Sequence, residues 1–125
     1  MKRVKYYDIG PYPVYFGFTT DPDAFTRELK RLKVREQVPF TVRGLSGSTH
    51  VFQKGHTLVV IVCIKPKKMP REQLYGLIVH EAVHVWQAVL EQIGDETTSD
   101  EVEAYSIQYI AQCMIREVMG KRRQP

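Results

Sequence analysis

The stretch GLIVHEAVHVWQ, residues 76–87, decides how this chain is read. Apart from His80, Glu81 and His84, residues 76–90 carry no ionisable side chain. Leu77, Ile78, Val79, Ala82, Val83, Val85 and Trp86 surround the three. Isolated charges in apolar surroundings are costly, so such groups are normally paired or bound to a metal. The expectation is three ionisable groups buried together on one helix. That helix opens near Pro70, with proline in its first turn and Glu72 at its positive end. It runs to about Ile93, where Gly94 ends it.

A second helix follows downstream. It starts within TTSDE (97–101) and runs to about Met119, with Gly120 at its end. Ile107, Ile110, Ala111, Met114, Ile115 and Val118 form its apolar stripe. Upstream, TLVVIVCI (57–64) is a continuous apolar run, the mark of a central strand buried on both faces. KGHT before it reads as a hairpin turn, and shorter strands are expected at 12–18, 38–43 and 49–54. GLSGS between the last two is a loop by composition. Asp21 and Pro22 look like an N-cap and first turn for a helix through DAFTRELKRLKV, with Phe25, Leu29 and Leu32 on one face. The sum is an α+β domain spanning 1–120: a small, mixed, mostly antiparallel sheet, one helix in the first half and two C-terminal helices packed on it. The basic tail KRRQP (121–125) is expected to be disordered.

A length of 125 residues suits one domain, and 43% hydrophobic with 26% charged residues is an ordinary globular mix. The net charge of +4 is unevenly placed. Residues 1–75 hold 14 basic and 6 acidic side chains, a net +8, and the remainder is −4. A basic front half can attract nucleic acid, though such an excess is more often a solvated surface. Two cysteines, Cys63 and Cys113, form no disulfide framework and read as buried free thiols. The N-terminus has no apolar h-region, and no apolar run approaches the ~20 residues that span a bilayer. A soluble cytoplasmic protein is expected, with no membrane partner.

Residues 80–84 read H-E-A-V-H. On a helix, positions i and i+4 are neighbours with Cβ atoms about 6 Å apart, so two imidazoles there can reach one zinc ion. Glu81 stands one step round, beside the metal, where it can act as general base for a water the metal activates. Neutral imidazole is the form that binds.

LIVHEAVHVWQ followed by DEVEAYSIQYIAQ resembles a minimal zincin metallopeptidase of the gluzincin kind, and also short phage- and prophage-encoded proteins of that type. The likeness covers about residues 73–115. It departs from many zincins in carrying Ala82 and Val83 where glycine is common. The resemblance implies a zincin-like fold, Zn2+ as cofactor, a peptide or protein substrate, and a carboxylate on the second helix as third ligand beside His80 and His84. The E-x-x-A pattern of the resemblance favours Glu101, the expected ligand; helical periodicity favours the alternative, Glu103, which lies closer to the apolar stripe. Thr98 with Glu101, or Asp100 with Glu103, could instead be capping boxes. A deformylase-like site would use Cys63 as third ligand, but Cys63 sits within a buried run. His50 and His56 read as surface or turn residues, one of which can still line the cleft. Tyr105 is a candidate oxyanion donor, with a packed aromatic as the plainer reading. Trp86 reads as core, and Gln87 and Gln108 as supports for the ligands. Strand 49–54 is the candidate sheet edge for an extended substrate.

Three functions compete at this stage: a zinc peptidase, in the host cytoplasm if phage-encoded; a catalytically silent, metal-stabilised binding or inhibitor module; and, least favoured, a nucleic-acid-binding protein. Retention of Glu81 favours the first, because a structural zinc site needs four protein ligands and no base.

Overall fold

The computed structural model describes residues 3–94 and 99–120. Along the chain come β1 (Lys5–Asp8), β2 (Val14–Thr19), α1 (Pro22–Arg31), β3 (Gly47–Lys54), β4 (Thr57–Ile64), α2 (Arg71–Ile93) and α3 (Asp100–Gly120). The sheet order is β1-β2-β4-β3. The central pair β2/β4 is parallel, and the outer pairs β1/β2 and β3/β4 are antiparallel. This is the expected α+β plan, with a mixed and mostly antiparallel sheet. No helix among the described residues is long and apolar enough to cross a membrane.

The run at 57–64 earns its central position by being apolar on both faces. Leu58, Val60, Val62 and Ile64 point into the main core, which also holds Ile78, Ala82, Val85 and Trp86 of α2 and Ile110 and Met114 of α3. Val59, Ile61 and Cys63 point the other way, into a smaller core with Phe25 and Leu29 of α1. The period of two along a strand divides the layers. α1 is capped by Asp21, whose carboxylate accepts from the Asp23 amide at 3.0 Å. It stops at Arg31 rather than running to residue 34, since Lys33 turns to φ 60°. α2 has the predicted bounds, and Gly94 closes it at φ 70°, a left-handed position that glycine occupies without strain.

Residues 38–43 are not a strand. Pro39 cannot donate to a ladder, and the segment is held by side chains instead. Val42 N donates to Ser48 Oγ at 2.9 Å, and His50 Nε2 meets the Phe40 carbonyl at 2.9 Å. Val38 and Phe40 cover the smaller core. β1 was not foreseen from KYYD; it is a short edge strand pinned by two tyrosines, Tyr6 to Glu28 at 2.5 Å and Tyr7 to Glu117 at 2.6 Å. β3 starts two residues earlier than expected, so Gly47 belongs to the sheet and not to the loop. Residues 121–125 lie outside the described residues.

Candidate active site

α2 turns one face to the core and the opposite face to a cleft of about 790 Å³ that separates it from β3. The three ionisable groups are not buried together as expected. Glu81 is 3% exposed, whereas both histidines are exposed. The reason is helical phase: His80 and His84 share an outer face, and Glu81, about 100° round from His80, swings toward the sheet.

His80 Nε2 and His84 Nε2 are 3.3 Å apart. His84 Nδ1 lies 3.0 Å from the amide oxygen of Gln87. That oxygen accepts, so a neutral His84 protonated on Nδ1 would turn its Nε2 lone pair toward His80. Two nitrogens bound at about 2.0–2.1 Å to one tetrahedral zinc are themselves about 3.3–3.4 Å apart. The pair therefore has the bite of two ligands on one ion, with Gln87 in the supporting place expected of it. Gln108 is exposed on α3.

Glu81 is held on the floor of the cleft. Thr49 of β3 donates its hydroxyl to Oε1 at 2.6 Å. Oε2 lies beside Gly47, where a Cβ would stand only 3.1 Å from it. Neither Thr49 nor Gly47 was picked out from the sequence. A glycine in GLSGS looks like loop composition, and only the β3–α2 contact shows what its missing side chain leaves room for.

The third ligand is not gathered. Among the described residues no group of three His, Cys, Asp or Glu side chains comes together as a metal site. Glu101 is exposed and Glu103 half-buried, the order given by periodicity rather than by the E-x-x-A pattern. The capping box of Asp100 with Glu103 does not form. Asp100 is the first helical residue, and Ser99 caps α3 instead, its Oγ accepting from Val102 N at 3.2 Å. Thr98 lies outside the described residues.

Of the other candidates, His50 alone is among the residues that line the cleft, as one of the two outlying histidines was expected to. Cys63 faces the α1 layer, on the far side of the sheet from the histidines, and burial, with the Glu81 charge adding, pushes its thiol pKa far up; a deformylase-like ligand is not placed there. His50 stacks on Phe25 with centroids 5.1 Å apart. His56 sits exposed in the hairpin turn, its carbonyl accepting from Gln92. Tyr105 is 65% exposed, so it is not a packed aromatic, and it does not line the cleft. Trp86 is core, as expected.

Comparison with protein-family models, with curated proteins and with solved structures finds no match to this chain. Function has to be read from the chemistry of the cleft.

Proposed function

We propose that the protein is a zinc-dependent peptidase of the HExxH kind. The observation that carries the reading is the 3.3 Å separation of His80 Nε2 and His84 Nε2, with the Gln87 amide oxygen 3.0 Å from His84 Nδ1. His80 and His84 would hold the ion, together with a carboxylate of α3, Glu101 or Glu103. When bound, the ion supplies a Lewis acid that polarises a peptide carbonyl and acidifies water. The remaining work falls to the chain itself. Glu81 takes a proton as general base and returns it to the leaving amine. The Thr49 hydroxyl occupies Oε1, which leaves Oε2 as the proton-carrying atom. β3 is the end strand of the sheet, so its outer backbone edge is open to an extended peptide.

The test is metal content and cleavage on the same preparations. The wild-type chain should hold one zinc, and His80→Ala should lose it. Glu81→Gln should keep the zinc and lose cleavage of an unfolded protein substrate. Glu103→Gln and Glu101→Gln, compared for zinc affinity, decide between the two carboxylates. A wild-type chain that takes up no zinc would overturn the reading.

A second reading is a metal-stabilised binding module without turnover. One observation favours it: no third protein ligand joins the histidines among the described residues. It predicts zinc and peptide binding with no cleavage.

A further inference from the structure

The cleft is not uniform along its length. Gly47 touches Leu77, Thr49 meets Glu81, and the His56 carbonyl meets Gln92, so β3 and α2 run alongside each other in the same direction. The reactive residues sit in the middle. Toward the start of α2 the lining includes Leu77, Val42 and Leu45 beside Gln73, Ser46 and Ser48; toward its end it includes Val51 and Ala88 beside Gln87 and Glu91.

The aliphatic group at the start of α2 sits on a built turn, and it is exposed. Val42 and Leu45 are both 51% exposed. They are the first and last residues of a tight turn, closed by Leu45 N donating to the Val42 carbonyl at 2.9 Å. Gly44 takes φ 86° at the third position, where a type II turn needs a positive value. The turn is anchored on both flanks: Ser48 Oγ accepts from Val42 N at 2.9 Å, and Lys65 N donates to the Ser46 carbonyl at 2.8 Å. A pinned turn holding two aliphatic side chains half out of a cleft leaves apolar area for a ligand to cover. The occupant that suits it is an extended peptide, because β3 is the end strand of the sheet and lines the cleft from Gly47 through Val51.

We infer that the cleft selects extended peptides carrying a bulky aliphatic side chain, seated against Val42, Leu45 and Leu77 on one side of the His80–Glu81–His84 cluster. This rests on the peptidase reading for its chemistry but not for its binding test. Peptides of one backbone sequence, labelled with fluorescein and carrying Leu, Ser or Glu at one central position, are titrated by fluorescence polarisation against the metal-free wild-type chain. Contact with a hydrophobic pocket is worth at least about tenfold in discrimination, so the Leu peptide should bind about tenfold tighter than the Ser peptide. The preference should fall to within about twofold in Leu45→Ser and in Val42→Ser, with circular dichroism and zinc uptake unchanged. Equal binding of the Leu and Ser peptides, a preference untouched by both variants, or no binding at all would each overturn the inference. Cleavage of an unfolded protein at bonds with no aliphatic neighbour would also overturn it while leaving the peptidase reading in place. A Leu preference without cleavage by the zinc-loaded chain would sustain the inference and remove the peptidase.

Discussion

Replacing Thr49 by valine removes one hydroxyl and almost no volume. Its target is Glu81, a carboxylate that is 3% exposed and to which, among the described residues, only Thr49 donates, at 2.6 Å. A hydrogen bond to a charged group contributes about 1.5–3 kcal/mol, and the loss is felt as an unsatisfied buried acceptor. Valine suits a strand slightly better than threonine, which returns a few tenths of a kcal/mol at most. The net expectation is a destabilisation of about 2 kcal/mol. For a domain of this size that lowers the melting temperature by about 8 °C. The assay is urea unfolding of the metal-free chain at neutral pH. Thr49→Ser keeps the hydroxyl and should stay closer to wild type. The cycle with Glu81→Gln isolates the pair, because valine should cost less once the charge is gone. If Thr49→Val unfolds within about 0.5 kcal/mol of wild type, the carboxylate does not depend on that hydroxyl, and its assignment as the anchor of Glu81 is wrong.

Four further outcomes follow from the same structure. Burial pushes Glu28 up, but hydrogen bonds from Arg31 and Tyr6 and the Arg31 charge outweigh it and hold the carboxyl below its ordinary 4.5; stability relative to Glu28→Gln should be full above about pH 4.5 and fade as pH falls through the lower folded value in acid-titrated unfolding. Tyr6 is pushed well above its ordinary 10.0 by burial and by Glu28, so its advantage over Tyr6→Phe should be present below about pH 10 and shrink as pH rises beyond it. Cys63 and Cys113 are buried with raised thiol pKa values, so neither should react with Ellman's reagent at pH 8 until denaturant is added; fast native labelling of Cys63 would contradict its place under α1. Gly94→Ala forces a side chain into φ 70° at the end of α2 and should cost about 1 kcal/mol in thermal unfolding.

Much of the frame was legible because it rests on short-range rules. Pro70 and Gly94 bound α2 from either end, and the apolar run at 57–64 could only be an interior strand. Asp21 capped α1 as its side-chain chemistry demands. The failures have causes that lie further along the chain. Val38–Arg43 carries strand-forming residues, yet Pro39 and the side-chain hydrogen bonds of Ser48 and His50 satisfy its backbone without a ladder. KYYD is too short to announce itself, and β1 exists because Tyr6 and Tyr7 find carboxylates 22 and 110 residues away.

The site divides along the same line. Spacing alone put His80 and His84 on one helix face, because the α-helix repeats every 3.6 residues whatever surrounds it. Which way that face points was decided by packing. The sheet took the Ile78–Val85 side and left the histidines in solvent, drawing Glu81 down onto Thr49. Thr49 and Gly47 are more than thirty residues before Glu81 in the chain and carry no signature of their own. The turn at 42–45 reads as loop until its neighbours pin it beside the cleft. Sequence by itself determined most of the elements and the pairing of His80 with His84 on one helix face, since those depend on neighbours within a few residues. Only the tertiary structure decided the burial of Glu81 and the shape of the cleft, because both are made by contacts between segments that the chain order keeps apart.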